Sequence, residues 1–511
     1  MGNLINLGML LGNQQDGWFT QAEDQADTLA NTLGVKPNLK FIEWAVENWR
    51  TDPALQMMRE GQRYYEADND IHRRKRYAYG TILEKAPVWM TNNTIAHGFI
   101  RKLVRQKVGY FLSQPVLADT EDEQLADYLA DKLDKNFQQT LANTATNSII
   151  QGISWLQVYY NDGQMRIKRI PGSEVIPFWK DSDHTILEAC IRVWETALWT
   201  NGECQLVTHA DFYTLQGVWH YLKNIDTGQW QADPTHPLDY SYTITNGEGS
   251  EEAYVWQRIP FIPVKYSPDE KPLLCYVKDL IDEYDRRVSD IANTLEDEPD
   301  RIKIVKNYDG TNRREFVRNL KEYRTAFIRD NGDITTLDTS ISTDAAISHL
   351  DRLRRDIYEF GSGVDTQDKD LGNASGVALK FVYSDLDMDC HIFQTQISQA
   401  LDNLLWFWMQ DMMLHGLGDH TDATVEWKYT TSMIINESER ISDIKNSVGI
   451  LSDKTLIANH PYVTNPQQEE ERINQENQER DNLLTTMPNI QTTIVDNNGN
   501  EQITRTSQPT A

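Results

Sequence analysis

Three consecutive blocks decide how this chain is built: TDAAISHLDRLRRDIYEF (343–360), GSGVDTQDKDLGNASG (361–376) and VALKFVYSDLDMDCHIFQTQISQALDNLLWFWMQDMML (377–414). In the first, Ala346, Leu350, Leu353, Ile357 and Phe360 recur at alternating four- and three-residue spacing, which predicts a helix with one apolar stripe. Ser342 and Thr343 are candidate N-caps, and Arg352, Arg354, Arg355 and Glu359 fall on the other sides. The pattern stops at Gly361-Ser362-Gly363, and 364–376 is polar, glycine-spaced and offers almost nothing to bury. Beyond Gly376 one face is held by Leu379, Val382, Leu386, Phe393, Ile397, Leu401, Leu404 and Trp408, with Cys390 filling the gap. No proline or glycine interrupts 377–414, so at about 1.5 Å per residue this helix would reach roughly 50 Å. A helix, an exposed loop and a much longer helix make a strut with a projecting finger.

Upstream, Pro272 opens a helix whose stripe is Leu274, Val277, Leu280, Ile281, Tyr284, Val288, Ile291 and Leu295, interleaved with charge. Between it and residue 343 lies a short mixed insertion. Ile302–Val305 reads as a strand and Arg314–Tyr323 as a helix, and an Asn331-Gly332 turn separates two further runs. Downstream, Ala423–Tyr429 reads as a strand, Asn436–Ile450 and Ser452–Ala458 as a helical pair, and Pro466–Arg480 as a polar helix. Thr485–Ala511, without aromatics, reads as a disordered tail.

Further out the pattern is mixed. Met1 to about Leu39 reads as an irregular or loosely helical arm, and Asp52 with Pro53 starts a helix running to about Lys75. That helix would end in His72-Arg73-Arg74-Lys75-Arg76, a cluster fit either for DNA or an acidic partner, or for a solvated helix end. Asn93–Leu112 is a second helix with Arg101, Lys102, Arg105 and Lys107 exposed, followed by helices from Gln124 and over Asn136–Gln151. From Ile153 the period changes to two. Trp155–Tyr160 and Met165–Ile170 flank an Asn161-Asp162-Gly163 turn, a strong hairpin signal. Strand-like runs continue at 187–194, 203–208, 211–215, 217–222 and 240–245, and Pro260–Val264 closes the region. The aromatics crowded there have no basic residues aligned with them, so they read as sheet core rather than a base-stacking surface.

With 511 residues, 39% hydrophobic and 14 of them tryptophan, the chain can hold about three cored domains. No apolar run of transmembrane length and no basic leader occurs, so no membrane partner is expected. Cys190, Cys204, Cys275 and Cys390 are scattered and read as reduced thiols. The net charge of −28, from 77 acidic and 49 basic residues, argues against a protein whose task is to grip DNA tightly. It is compatible with a wall past which a duplex slides, and equally with acidity serving solubility.

Chemistry is sparse. The sequence lacks a phosphate loop, a zincin motif, a nucleophile elbow and a dinucleotide fingerprint. Gly372–Lys380 could cradle a phosphate at a helix start, but Asp365, Asp368 and Asp370 repel anions and no strand precedes it. Asp385, Asp387 and Asp389 alternate, and only the first and last share a helix face, so they read as a solvated face rather than a metal site. No catalytic residue, metal or cofactor is expected.

Three stretches, in order, resemble the tailed-bacteriophage portal protein family in the form found in long-tailed phages of Gram-positive hosts. They are Glu60-Gly61-Gln62-Arg63-Tyr64-Tyr65 leading to Arg73–Arg76; Asn92-Asn93-Thr94-Ile95 through Val108-Gly109-Tyr110-Phe111 to Pro115-Val116; and Asn373-Ala374-Ser375-Gly376-Val377-Ala378-Leu379-Lys380. The likeness runs from about Met57 to about Trp427. It implies an α+β, mainly helical fold of portal type with wing, stem, small αβ clip and helical crown, assembled as a ring of twelve. On that plan 1–50 is an N-terminal arm, 51–271 the wing, 272–297 and 340–360 the stem helices, and 298–339 the clip. Residues 361–376 are the tunnel loop, 377–414 the long helix, 415–435 a return strand, 436–482 the crown and 483–511 the tail.

The resemblance implies a channel for double-stranded DNA in transit at the portal vertex of a capsid, with the protein made in the host cytoplasm. Asp365, Gln367, Asp368, Lys369, Asp370, Leu371 and Asn373 would lie along the duplex without reading bases. Lys303, Lys306, Arg313, Arg314 and Arg318 would belong to the clip surface on which the terminase large subunit, and later a head-completion adaptor, dock. The major capsid or scaffold protein is a further partner. Rival readings are a capsid scaffold without a channel, or a metal-dependent nucleic-acid enzyme using the three aspartates.

Overall fold

The computed structural model describes residues 39–78, 81–83, 91–161, 164–200, 202–215, 217–225, 227–234, 242–245, 251–254, 256–297, 303–308, 328–336, 343–367, 381–430, 437–463, 465–486, 493–495 and 501–503. The chain divides into two compact units, Met1–Asn373 with Lys380–Ser432, and Ala374–Leu379 with Met433–Ala511.

In the larger unit α1 (Leu39–Thr51) and α2 (Pro53–Tyr65) meet at Asp52, whose carboxylate accepts the Ala54 N–H at 2.8 Å and caps the second helix. An arm was expected through residue 50, but its end is α1, because Phe41, Ile42, Ala45 and Val46 make one face that a sheet covers. The second helix was expected to reach Lys75. It stops at Tyr65, where Ala67 takes left-handed backbone (φ 62°) and Asn69 turns wholly inward. A 3₁₀ turn (Asp70–Arg73) and the hairpin β1 (Arg76–Ala78) and β2 (Thr81–Leu83) follow. Next come α3 (Phe99–Phe111), β3 (Leu117–Asp119), α4 (Glu123–Lys132) and α5 (Lys135–Gln151). Asp122 and Asp134 cap the last two helices through Leu125 N and Phe137 N at 3.1 and 2.7 Å.

The period-two region forms antiparallel sheet. β4 (Ile153–Asn161) and β5 (Gln164–Pro171) pair with Trp155 opposite Ile170, as the hairpin signal predicts. β6 (Val175–Trp179), β7 (Leu187–Thr200), β8 (Glu203–Thr214), β9 (Gly217–Lys223) and β10 (Trp230–Ala232) lie side by side in sequence order in a second, five-stranded sheet. β8 is continuous where two runs were expected, because β7 pairs with it along its whole length. β11 (Tyr242–Thr245) and β12 (Glu251–Tyr254) form a hairpin, and β13 (Phe261–Lys265) adds to the free edge of β4. Phe178, Phe212, Trp219, Tyr221 and Trp230 are core under α1, so the aromatics are mostly packing. Trp199, 74% exposed near the β7–β8 turn, is an exception.

α6 (Leu274–Asp297) and α7 (Thr343–Phe360) pack side by side. The chain between them includes β14 (Lys303–Tyr308), paired with β15 (Ile328–Thr336). β15 is irregular at Asn331-Gly332, where a turn was expected: pairing runs from Lys303 with Thr336 to Lys306 with Asp333 and resumes at Tyr308 with Ile328, so the register shifts over 329–332. The helix expected over 314–323 lies outside the described residues. α8 (Ser384–Leu414) is 31 residues long and begins after a turn at Tyr383. Leu386, Cys390, Phe393, Ile397, Leu401, Leu404 and Trp408 are all buried, as their spacing requires, whereas Val382 is exposed. β16 (Glu426–Lys428) pairs with β3. Among the described residues no helix is long and apolar enough to cross a membrane.

The smaller unit contains α9 (Glu437–Asn446), α10 (Asp453–Ala458, capped by Ser452), α11 (Pro466–Thr486) and a hairpin of β17 (Thr493–Val495) with β18 (Glu501–Ile503). The expectation of a disordered tail from 483 onward therefore fails in part. Thr493-Ile494-Val495 is a β-branched run before Asn497-Asn498-Gly499, enough for a strand to find a partner.

Candidate functional site at the root of the loop

The first two stretches that carry the resemblance converge on α6. Gly61 of α2 sits so close to α5 that a Cβ there would lie 2.0 Å from Ile150 O. Tyr64 donates its hydroxyl hydrogen to Asp282, and Lys278 reaches both Asp70 and Asp282 at 2.7 Å. Burial pushes the Asp70 carboxyl up, but Lys278 and Arg63 outweigh it and hold it down at about 2. Arg73 pairs with Asp68 and Arg74 with Asp290, each at 2.6 Å; the first pair is exposed at the end of the 3₁₀ turn and the second is half-buried against α6.

The segment 91–98, expected as the start of a helix, is instead tied along α6. Asn93 N donates to Asn293 Oδ1 (2.7 Å), Ile95 N to Ser289 Oγ (3.0 Å) and His97 N to Asp285 Oδ1 (3.0 Å). Alternate residues of a near-extended chain advance about 6.6 Å and every fourth residue of a helix about 6 Å, so the two periods match over three rungs. Side chains on one helix face thereby stand in for a neighbouring strand. Asp285, fully buried, also accepts from His97 Nδ1 at 2.7 Å and Asn69 Nδ2 at 2.5 Å.

Above this ladder α3 is a platform for both ends of the loop. α7 ends in a Schellman turn, with Gly363 N donating to Tyr358 O (2.8 Å) and Ser362 N to Glu359 O (3.0 Å). The left-handed residue is Ser362 (φ 46°), not a glycine. The flanking glycines serve clearance instead: a Cβ on Gly361 or Gly363 would meet Leu103 of α3 at 2.8 or 2.2 Å. Val364, expected exposed, is buried, and Gln106 Nε2 donates to its carbonyl at 2.7 Å. Lys102 Nζ reaches Thr366 Oγ1 at 3.2 Å. Arg354 grips Asp365 with two bonds, 2.6 and 2.8 Å. Burial raises the Asp365 carboxyl, yet these bonds and the Gln367 N–H hold it below the ordinary carboxylate range.

The returning end is held by the same helix. Tyr110 donates to Asp387 Oδ1 at 2.7 Å, and Lys107 Nζ donates to Asp389 Oδ2 at 2.7 Å and to Ser362 O at 3.0 Å. Asp389 also accepts from Tyr266, just past β13, at 2.9 Å. Burial pushes the neighbouring Cys390 thiol up to about 12. Two expectations change here. Asp385 and Asp387 are exposed, as a solvated face requires, but Asp387 and the half-buried Asp389 also accept hydrogen bonds from α3, and Lys107, expected exposed, is fully buried. Its position was readable, since Leu103, Lys107, Tyr110 and Phe111 share one helical face. Among the described residues no group of three or more His, Cys, Asp or Glu could hold a metal ion.

Of the residues assigned to the loop, Asp365 is ion-paired at its root and Gln367 is exposed. Asp368, Lys369, Asp370, Leu371 and Asn373 lie outside the described residues, as do Arg313, Arg314 and Arg318; Lys303 and Lys306 are on β14.

The model of the SPP1 Gp6-like phage portal protein family matches residues 51–483. The portal protein of Bacillus phage SPP1 is 28% identical over 463 residues, 88% of this chain and 89% of that protein. The portal protein of Clostridium phage phiCD119 is 27% identical over 437 residues, 80% and 90% of the two. A chain from the neck of a native GTA particle computed with C12 symmetry aligns with 70% of this chain and 88% of its own length. Its 11% identity and TM-score of 0.37 carry no statement about fold. Since the family match spans residues 51–483 and two portal proteins align over most of their own length, the chain belongs to the SPP1 Gp6-like family of phage portal proteins.

Proposed function

We propose that this chain assembles with identical copies, twelve in number, into a closed ring at one capsid vertex, and that double-stranded DNA passes through its axial channel. On this reading α6 and α7 are the stem, β14 and β15 belong to the clip, the sheets to the wing, and the smaller unit to the crown. The clip, with Lys303, Lys306, Arg313, Arg314 and Arg318, receives the terminase large subunit during packaging and the head-completion adaptor afterwards. The terminase supplies ATP hydrolysis, and the portal chain supplies no catalysis.

One observation carries the loop's assignment: the chain leaves α7 and re-enters at α8 on the same lysine, so 367–383 departs from and returns to a single fixed point on α3. Such a root suits a finger directed at a passing duplex, with Asp368, Asp370 and Lys369, the lone cation of 364–376, keeping its grip on phosphate weak. The outer parts of the stem helices expose Leu295 (64%) and Ile347 (51%), apolar surface that neighbours in a ring would cover.

Replacing Asp368 and Asp370 by lysine tests the reading. Rings of about 700 kDa should still form from 59.0 kDa chains by light scattering. DNA packaging should fall because phosphate is now held. Normal packaging by that variant removes the channel role of the loop, and monodisperse monomers at high concentration remove the ring.

A further inference from the structure

We infer that Lys107 is a positioning residue that locks the two ends of the DNA-facing loop to each other and to α3, so that displacement of α8 is transmitted to the loop through the ion pair of this buried lysine with Asp389. This rests on the loop reading above but makes a claim of its own. Other polar contacts of α3 hold a single end: Gln106 takes Val364, Lys102 takes Thr366 and Tyr110 takes Asp387. Among the described residues Lys107 alone bonds both, Ser362 O at the end of α7 and Asp389 at the start of α8.

Its side chain is 1% exposed, and Asp389 is 25% exposed. Packing alone would be served as well by methionine or leucine, since a buried ammonium loses its hydration and recovers it only through good acceptors. What the charge adds is direction. Two acceptors on different helices are fixed to one atom, and the hydroxyl of Tyr266 ties the same carboxylate to the end of the β4–β13 sheet. The turn it holds is itself set rigidly, with left-handed Ser362 between two glycines pressed against Leu103.

The test uses the assembled full-length protein and hydrogen exchange read by mass spectrometry. Lys107→Met keeps length and removes the charge. Exchange should rise together, about tenfold or more, at 361–367 and 384–390, with the β6–β8 sheet unchanged and ring mass conserved. Asp389→Asn, which still accepts from Tyr266, should give the same two-ended pattern more weakly and serves if the methionine variant fails to fold. A rise at one end only, or at neither, overturns the lock. The double variant Lys107→Met/Asp389→Asn removes the stranded carboxylate and should recover thermal stability without recovering protection. If both recover, Lys107 merely neutralises charge and the inference fails. Packaging is measured beside the Asp368→Lys/Asp370→Lys variant. Loosened ends with normal packaging, while the loop variant is impaired, refute transmission through Lys107. Normal packaging in both refutes the channel reading and leaves the lock, read by exchange, standing.

Discussion

Replacing Asp285 by alanine should destabilise the larger unit by about 3–5 kcal/mol, far more than losing a carboxylate from a surface helix. The carboxylate is fully buried and accepts His97 N, His97 Nδ1 and Asn69 Nδ2 at 3.0, 2.7 and 2.5 Å. The imidazole, one-third exposed, can turn to water, but His97 N and one hydrogen of Asn69 Nδ2, whose other bond goes to His97 O at 3.1 Å, lose their acceptor at about 1–3 kcal/mol each. The neighbouring rung gives the internal control. Ser289→Ala removes one neutral bond, to Ile95 N, and should cost about 1 kcal/mol. Urea unfolding followed by tryptophan fluorescence reads the stabilities, and hydrogen exchange reads the rungs. A local loss of about 1 kcal/mol should speed exchange of the Ile95 amide roughly fivefold in Ser289→Ala. An Asp285→Ala cost no larger than that of Ser289→Ala, or unchanged exchange over 93–97, would refute the ladder.

Two glycines in the family-like stretches should behave in opposite ways. Gly61→Ala drives a Cβ to 2.0 Å from a backbone oxygen and should lower stability by about 2–3 kcal/mol. Gly109→Ala, with nothing within 4 Å on an α3 position facing solvent, should raise it by about 0.5–1 kcal/mol; thermal melts of the pair decide. Because the Asp365 carboxyl is held low, its pair with Arg354 contributes above about pH 4 and is lost as pH falls through the lowered folded value. The stability gap between the parent chain and Asp365→Asn should therefore close on acidification, and a gap constant down to pH 2 would contradict the pairing. His420 shows the opposite sign. Its bond to Asp122 raises the imidazole above its usual value, so the charged pair contributes fully below about pH 6.5 and fades as pH rises through the raised value. The difference from His420→Gln should shrink between pH 6 and 9 in denaturant melts.

Much was legible in the chain because it is local. Apolar residues three and four apart placed α6, α7 and the buried face of α8, and Asp52 announced its helix start, as did Asn161-Asp162-Gly163 its hairpin. The ordered motifs that resemble portal proteins identified the family without any coordinates. Other features depend on partners distant in sequence, and only the tertiary structure decided them. Lys107 looks like a surface cation until Asp389, 282 positions away, arrives beside it. The helix expected from Asn93 yields to a ladder whose Asp285 rung is 188 positions off. Gly61, Gly361 and Gly363 are small because another backbone or Leu103 occupies the space, while the left-handed turn falls to Ser362. Spacing along a chain fixes which face is apolar; which polar groups must enter that face depends on acceptors that folding alone brings within 3 Å.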